Sequence, residues 1–423
     1  MPHPFVVILG KSVRYVARLR GGGSALPGLF VEKISPDFIK NTLAQLPHGV
    51  VVISGTNGKT TTTKMVVALL EAHGLKVFTN RTGSNFTRGV AAALLGDIDI
   101  KGNLDADIAV LELDEAHAVP FVKAVPPRYS LLLNVMRDQL DRFGEIDATA
   151  KMLEKIAIAT TDTVVLNRED SRVLKIKDAL TDQKVELFGL SDSLLPHFPS
   201  DDDMRDGSVK TVKRPDASVI LKAYSGNKAT YDLGGHEFST TLKLNGIYNV
   251  FNGAAAIALA HAILGKDANT DSVISTIASV TPAFGRGEEL QVGGQPLELV
   301  LVKNPSGFRL GLKSFSPEGY ATMIAVNDNY ADGRDMSWLW DVDFESLAGE
   351  GVAQVSGVRA YDMALRLQYD EVTINHIEPD LAGALRQFID VNKDKPKRIY
   401  CTYTAMLALR KELSKITKVE VIS

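Results

Sequence analysis

The sequence predicts an α/β fold with two domains, each built around a largely parallel sheet. An apolar, β-branched stretch at residues 50–53 leads into a glycine-containing loop at 55–58 and then into a helical pattern. Strand-like and helix-like segments alternate from residue 48 to 285, which is typical of a parallel sheet with helices on both faces. The same alternation returns between residues 290 and 423 and predicts a second, Rossmann-like α/β domain.

Composition and turn residues suggest three parts. Residues 1–47 are a lead-in that we expect to pack on the central domain. Residues 48–285 are predicted to form that domain, because the Pro and Gly residues near 282–287 suit a boundary. Residues 286–423 then form the C-terminal domain. In the lead-in, residues 13–20 combine three arginines with apolar side chains, which indicates either contact with an anionic membrane or, as we favour, a helix packed on the domain.

The overall composition is that of a soluble globular protein, with 45% hydrophobic and 23% charged residues. A formal net charge of −4 gives no support for nucleic-acid binding. The single cysteine, Cys401, excludes an intrachain disulfide and a cysteine-based zinc site, and we expect it to be buried. No apolar run is long enough to span a bilayer, and the N-terminus lacks the pattern of a secretion signal. We therefore expect a cytoplasmic protein.

The loop after the first predicted strand has the residues of a polyphosphate-binding loop. Its glycines let backbone N–H groups approach phosphates closely, and the following helix adds partial positive charge at its N-terminus. Lys59 is predicted to reach the terminal phosphates, and Thr60 to bind Mg²⁺. The general pattern has a glycine where Ile53 stands, so this loop is shorter. The alternative is an ordinary strand-to-helix turn with a surface lysine.

Polar side chains also end the next predicted strands. Glu112 and Asp114 follow one apolar strand, Asn134 a second and Asn167 a third. Because ligands of open α/β sheets bind beyond the carboxyl ends of the strands, we expect these groups beside the phosphate loop.

Residues 190–240 differ from their surroundings. They are rich in turn residues and acidic around 200–203, and their strands look short and antiparallel. We expect an inserted β-rich lobe or a loose excursion, in which the acidic run is a solvated loop rather than a metal site.

Four stretches resemble the Mur ligase superfamily of ATP-dependent, amide-forming enzymes, in order and in spacing. They are residues 55–61, 111–115, 249–255 and 284–288. Four further stretches resemble more closely the MurT family, the ligase-like subunits of lipid II isoglutaminyl synthase: residues 80–85, 134–145, 301–308 and 327–345. MurT-like proteins often carry a four-cysteine zinc ribbon, and the region 190–240 has no cysteine. We therefore predict no zinc.

The resemblance implies a chemistry and a set of site residues. The family transfers the γ-phosphoryl group of ATP to a carboxylate, and an amine then displaces the acyl phosphate. Thr60 and Glu112 are expected to hold Mg²⁺. The expected ATP-binding residues are Gly55, Thr56, Asn57, Gly58, Lys59, Thr60, Thr61, Asn249, Asn252, Arg286, Asn304 and Asp328. The expected substrate-binding residues are Asn80, Arg81, Thr82, Asn85, Asp138, Asp141 and Arg142.

The resemblance also implies a partner, a GatD-like glutaminase that releases ammonia with a Cys–His pair. The carboxylate that orients its histidine is expected from the acidic stretch 327–345, where the candidates are Asp332, Asp335, Asp341 and Asp343. We rank Asp335 and Asp341 first. Trp338 and Trp340 are either core residues or interface anchors.

Together these features predict amidation of the D-glutamate α-carboxylate in the lipid II stem peptide, at the inner membrane face. Two alternatives stay open. One is a stand-alone Mur-type ligase of the folylpolyglutamate or poly-γ-glutamate kind, which needs no partner subunit. The other is a nucleotide-binding subunit without turnover.

Overall fold

The computed structural model describes residues 4–19, 25–80, 86–137, 146–198, 214–244, 246–265, 268–281 and 286–419. Nine strands form the first of its two sheets. In chain order they are β1 (Val50–Ser54), β2 (Val77–Thr79), β3 (Ile108–Glu112), β4 (Tyr129–Leu132), β5 (Thr163–Asn167), β6 (Lys184–Leu190), β7 (Val219–Ser225), β8 (Lys228–Leu233) and β9 (His236–Thr241). Their spatial order is β2-β3-β1-β4-β5-β6-β7-β8-β9. The pairs from β2 to β7 are parallel, and β8 and β9 add an antiparallel edge.

Helices cover both faces of this sheet, which explains why β1 and β3 are buried along their whole length. They are α1 (Pro4–Leu19), α2 (Ala25–Ile34), α3 (Phe38–Leu43), α4 (Lys59–Ala72), α5 (Thr87–Asp97), α6 (Glu115–Ala124), α7 (Ile146–Ala159), α8 (Ser171–Lys175), α9 (Ile247–Leu264) and α10 (Thr270–Ser279). Alternate residues of β1 serve the two faces. Val51 and Ile53 pack with α4, α9 and α10, and Val50 and Val52 pack with α1, α3 and α5.

The second sheet has six strands and its own helices. Its strands are β10 (Arg286–Val292), β11 (Gln295–Leu301), β12 (Ala321–Ala325), β13 (Val352–Ser356), β14 (Ile374–Glu378) and β15 (Lys397–Cys401). Its helices are α11 (Pro305–Ser314), α12 (Ala360–Tyr369), α13 (Leu381–Val391) and α14 (Tyr403–Leu413). The strand order is β10-β11-β15-β12-β13-β14, in which the β10–β11 pair is antiparallel. Short 3₁₀ helices occupy Ile176–Ala179, Asp192–His197, Ser337–Asp341 and Glu345–Leu347.

The predicted α/β class is confirmed, and two local expectations are corrected. The strands expected in an inserted lobe are β7, β8 and β9, which continue the first sheet instead of forming a separate body. The sequence of residues 371–374 also predicts a strand, but the strand begins only at Ile374, because Glu371 lies in a turn with φ +56°. The domain limits at 47/48 and 285/286 remain a proposal.

The described residues include one helix, α9, that has the length and apolar character of a membrane span. Its residues from Val250 to Ala260 are almost all buried in the core of the first sheet. Gly253 packs against the Tyr231 hydroxyl, and Tyr231 donates to the Val250 carbonyl at 2.7 Å. We conclude that α9 is a core helix whose small residues let it lie close to the strands.

Candidate active site

The phosphate loop between β1 and α4 depends on two glycines. Gly55 has φ +133° and Gly58 has φ +89°, conformations that L side chains rarely adopt. Gly58 also precedes the first residue of α4, and a Cβ there would lie 2.6 Å from Asn252 Oδ1. The loop therefore closes tightly against α9, which brings the predicted residue Asn252 beside the predicted loop.

A segment after β4 holds this loop in shape. The Thr56 and Asn57 backbone N–H groups donate to Asn134, the first to its carbonyl at 3.0 Å and the second to its side-chain oxygen at 2.8 Å. Asn134 Nδ2 donates back to the Asn57 carbonyl at 3.0 Å, and the Met136 N–H donates to Thr56 Oγ1 at 3.0 Å. Side chains at the end of the neighbouring strand thus pre-organise the loop.

The two predicted magnesium ligands lie next to each other. Thr60 Oγ1 donates to Glu112 Oε1 at 2.8 Å, where α4 begins and β3 ends. Asn80, predicted to bind substrate, braces this carboxylate through the backbone: its Nδ2 donates to the Glu112 carbonyl at 2.7 Å, and the Glu112 N–H donates to its Oδ1 at 3.0 Å. A hydroxyl and a carboxylate oxygen fit the preference of Mg²⁺ for oxygen ligands.

The predicted phosphate-binding lysine makes a buried ion pair. Lys59 Nζ lies 3.4 Å from Glu115 Oε1, and both side chains are at least 93% buried. The same ammonium donates to the Gly55 carbonyl at 2.5 Å. Glu115 is not among the residues predicted from the sequence, although it lies in the first turn of α6, three residues beyond Glu112. The pair holds Lys59 over the phosphate loop.

A cavity opens beside the loop, between the two sheets. Its walls include the predicted residues Asn57, Gly58, Thr61, Asn249 and Asn252. The second domain contributes residues from β11 and α11. The cavity also has an aromatic wall and two acidic residues after β5, to which the sequence prediction gave no role: Phe188, Phe198, Tyr248, Phe251, Phe315, Glu169 and Asp170. Only the fold brings these separate segments together.

Asp170 is a buried carboxylate in the wall of this cavity. Its carboxylate accepts from the Val135 N–H at 2.7 Å and, as the cap of α8, from the Arg172 and Val173 N–H groups at 3.0 Å. Burial raises the pKa of Asp170 to about 6, although these hydrogen bonds favour the ionised form. The residue ties the β4 segment, and through it the phosphate loop, to the end of β5.

The second sheet reaches the phosphate loop through Asn304. This fully buried residue caps α11 by accepting from the Gly307 N–H at 2.6 Å, and its Nδ2 donates to Asn57 Oδ1 at 3.3 Å. Asp328, also predicted to bind ATP, is engaged elsewhere: Arg359 Nη2 lies 2.7 Å from its carboxylate. Asn304 and Asp328 thus have different surroundings, and neither of them lines the cavity.

The acidic candidates of the second domain also differ. Asp332 is buried, accepts from the Thr404 N–H at 2.7 Å and has its pKa raised by that burial. Asp335 is exposed, and hydrogen bonds from Ser337 lower its pKa. Asp341 is half-buried and lies 2.9 Å from Arg137, beyond β4. Asp335 is therefore exposed and Asp341 partly exposed, whereas Asp332 stabilises its own loop.

Several predicted residues lie outside the described part of the chain: Arg81, Thr82, Asn85, Asp138, Asp141, Arg142 and the side chain of Arg286. In the ranges that the structure describes, no group of three or more His, Cys, Asp or Glu side chains forms a metal cluster. The absence of zinc remains a prediction.

Comparison with known proteins identifies the family. The Mur ligase middle domain matches residues 53–260, and the MurT ligase C-terminal domain matches residues 301–406. The lipid II isoglutaminyl synthase (glutamine-hydrolyzing) subunit MurT of Streptococcus pneumoniae R6 is 31% identical over 96% of this chain and 96% of its own length. The chain belongs to the MurT family.

Membership in the MurT family confirms the resemblance inferred from the motifs. The subunit of the same name from Staphylococcus aureus COL is 27% identical over 90% of this chain and 91% of its own. The fold of this MurT-family chain is also that of the MurF ligase of Thermotoga maritima, solved in complex with ADP. The TM-score is 0.67 at 18% identity, and the match covers 90% of this chain and 84% of the other.

Proposed function

We propose that this MurT-family chain is the ATP-dependent ligase subunit of a lipid II isoglutaminyl synthase. A carboxylate oxygen of the substrate attacks the γ-phosphorus of ATP, and ADP leaves. Ammonia then attacks the acyl carbon, inorganic phosphate leaves, and a carboxamide remains. The carboxylate is the α-carboxylate of D-glutamate in the stem peptide, and the product is D-isoglutamine. The proposal rests on an intact phosphate site in this chain, which a subunit of that name matches over 96% of its length.

The roles of the phosphate-site residues follow from charge and position. Lys59 neutralises the terminal phosphates, and its pairing with Glu115 keeps it over the loop. Thr60 and Glu112 hold Mg²⁺, which when bound neutralises phosphate charge. Asn57, Asn249 and Asn252 contact the nucleotide from the walls of the cavity. Asn304 joins the second domain to the loop, so closure of the two domains excludes water from the acyl phosphate.

Ammonia comes from a GatD-like glutaminase that docks on the second domain. An apolar stripe on α12, made of Tyr361, Leu365 and Tyr369, is 49–70% exposed. Trp340 stands at its end, in edge-to-face contact with Tyr369 at 5.0 Å, and Asp341 is the next residue. Exposed aromatic side chains beside a carboxylate suit a partner whose catalytic histidine needs an acid. We call Tyr361, Leu365, Tyr369 and Trp340 the C-terminal apolar stripe.

The substrate is carried on a lipid, so we place the enzyme in the cytoplasm, at the inner face of the plasma membrane. The test is reconstitution: the chain is purified with a GatD-like glutaminase and supplied with lipid II, ATP and glutamine. We expect carboxamide formation that is lost in Lys59→Ala. The variant Asp341→Asn should lose the glutamine-supported reaction and keep the ammonia-supported one.

Matched variants separate docking from chemistry. Tyr361→Ser with Tyr369→Ser should weaken co-purification of the glutaminase and leave the ammonia-supported rate unchanged. Ile100→Ser, an exposed apolar residue of the first domain, is the control. ATP consumption with a free amino acid and no partner would favour a stand-alone ligase. ATP binding without any turnover, with substrate and partner supplied, would favour a nucleotide-binding subunit.

A further inference from the structure

The N-terminal helix α1 turns an apolar face outward. Phe5, Ile8, Tyr15 and Val16 are 47–65% exposed, although each is a large hydrophobic residue. Their spacing of three, seven and eight residues puts them on one side of a helix with 3.6 residues per turn. We call these four residues the N-terminal apolar face. Leu26, in the first turn of α2, adds another large apolar side chain that is 57% exposed.

The opposite side of α1 is firmly packed. Val7 is fully buried in the core, and Gly10 lies so close to Val31 and Leu95 that a Cβ would be 2.7 Å from Val31. These contacts fix α1 on α2 and α5. The exposure of the outer face is therefore set by the packing, since the helix cannot rotate that face inward without losing its core contacts.

The charge of this region is opposite to that of the whole chain. Residues 1–31 contain Lys11, Arg14, Arg18 and Arg20 and no acidic residue, whereas the full chain has a net charge of −4. Asp97 and Asp99 interact electrostatically with Lys11 and offset part of this excess. An apolar helical face with basic flanks is the pattern of helices that lie in the interface of an anionic membrane.

A second copy of the chain fits this surface less well. Two identical faces related by a twofold axis would bring the same basic residues together, and like charges repel. A lipid surface that carries negative head groups instead offers both an apolar interior and opposite charge.

The packing also connects this face to the proposed substrate site. Glu32 of α2 pairs with Arg88 of α5 at 3.5 Å, and Gly28 packs against the Arg88 backbone. Helix α5 begins just after residues 80–85, which are predicted to bind the substrate. The N-terminal apolar face and α5 therefore belong to one packed group of helices, and α5 follows the predicted substrate-binding residues along the chain.

We propose that the N-terminal apolar face, with its basic flanks, docks the enzyme on an anionic lipid bilayer. Phe5, Ile8 and Tyr15 enter the boundary between head groups and acyl chains, while the positive charge of Lys11 and Arg14 on the same helix attracts the head groups. This inference rests on the proposed function in one respect, because a lipid-linked substrate gives the docking its purpose. The binding itself can be measured without any turnover.

The test is sedimentation of the full chain, with its partner, on vesicles of phosphatidylglycerol and phosphatidylcholine. We expect binding that weakens with added salt and on vesicles of phosphatidylcholine alone. The triple variant Phe5→Ser, Ile8→Ser, Tyr15→Ser should bind at least about tenfold more weakly, since three apolar side chains no longer enter the bilayer. The matched control replaces three exposed apolar residues that belong to neither named apolar surface: Ile158→Ser, Val391→Ser, Ile416→Ser.

The outcomes are distinguishable. Equal vesicle binding by the wild type and a folded triple variant would overturn the inference, as would an effect of the triple variant on dimer formation alone. Thermal melting checks that the variant is folded. If it is not, the single variant Phe5→Ser replaces it and should bind vesicles about twofold more weakly, since one of the three apolar side chains is lost. If the wild type binds vesicles but amidates neither a bilayer-embedded nor a short-chain, water-soluble substrate, the proposed function fails and the docking stands. Amidation of both substrates without vesicle binding overturns the docking alone.

Discussion

Arg137 Nη1 donates to Asp341 Oδ2 at 2.9 Å, and this contact joins the two sheets. Arg137 directly follows the segment of Asn134 and Met136 that holds the phosphate loop. Asp341 ends the 3₁₀ helix beside the C-terminal apolar stripe. Both side chains are 40% exposed, so we expect the pair to stabilise the fold by only about 0–1 kcal/mol. Its importance lies in where it puts the Asp341 carboxylate relative to the ligase site.

We predict that Arg137→Gln slows the glutamine-supported reaction several-fold, because the Asp341 carboxylate loses the cation that orients it. The ammonia-supported rate should change little, and so should the melting temperature. Arg128→Gln is the control, since it removes another partly exposed ion pair, to Asp162 at 3.3 Å, away from the second sheet. Equal losses with glutamine and with ammonia would contradict a role in positioning Asp341.

A second prediction concerns the backbone of the phosphate loop. Gly58→Ala should weaken ATP binding by more than about tenfold. The backbone at residue 58 is left-handed, which a residue with a Cβ rarely adopts, and the new Cβ would collide with Asn252. Gly226→Ala is the matched control: Gly226 also has positive φ, +59°, but has open space around it. Calorimetric titration with a non-hydrolysable ATP analogue measures the affinities. Similar ATP affinity for both variants would show that Asn252 does not limit the loop.

Asn80 gives a third prediction, about support of the metal ligand. Asn80→Ala leaves the buried N–H and carbonyl of Glu112 without these partners, which should cost about 1–3 kcal/mol of stability. We also expect a higher Mg²⁺ concentration for half-maximal ATP turnover, because Glu112 is no longer held. Asn227→Ala removes a similar bond, to the Leu242 carbonyl at 2.7 Å, remote from the loop. That control should lose stability without any change in Mg²⁺ dependence. An unchanged Mg²⁺ dependence in Asn80→Ala would contradict the support of Glu112 by Asn80.

Asp170 gives a prediction about pH. Burial raises its pKa to about 6, so between its unfolded value and pH 6 the folded chain keeps a proton that the unfolded chain has lost. The contribution of Asp170 to stability is therefore largest below that window and falls as the pH rises through it, by about 1.4 kcal/mol for each unit of pKa shift. Urea unfolding of the wild type and of Asp170→Asn at several pH values measures this. Relative to Asp170→Asn, the free energy of unfolding of the wild type should fall between pH 4 and pH 7. A difference in free energy that stays constant with pH would refute the pKa shift.

Much of the site was predictable because its residues stand at strand ends within short motifs. The run from Val50 to Lys59 specifies a strand, a tight loop and a helix through local properties: β-branched side chains, glycines and helical spacing. Glu112 follows from the same logic, since a carboxylate after an apolar strand has to emerge at the carboxyl edge of the sheet. Glu115 lies three residues beyond Glu112 and could have been predicted in the same way.

The strands β7 to β9 and the turn at Glu371 show where local patterns fail. Short alternating strands are compatible with a separate lobe or with a sheet edge, and only pairing with β6 decides between them. Glu371 has a side chain that strands and turns both accept, and the end of α12 forces it into a left-handed conformation.

The sequence by itself therefore determined the α/β class, the phosphate loop and the MurT-family motifs, because these depend on residues close together in the chain. The tertiary structure decided which distant residues meet. It paired Lys59 with Glu115, tied Asn80 to Glu112 and Arg137 to Asp341, and assembled the aromatic wall of the cavity. It also left the apolar face of α1 exposed. Such contacts depend on how sheets and helices pack, and hydrophobic period and local composition carry no information about which surfaces will face each other.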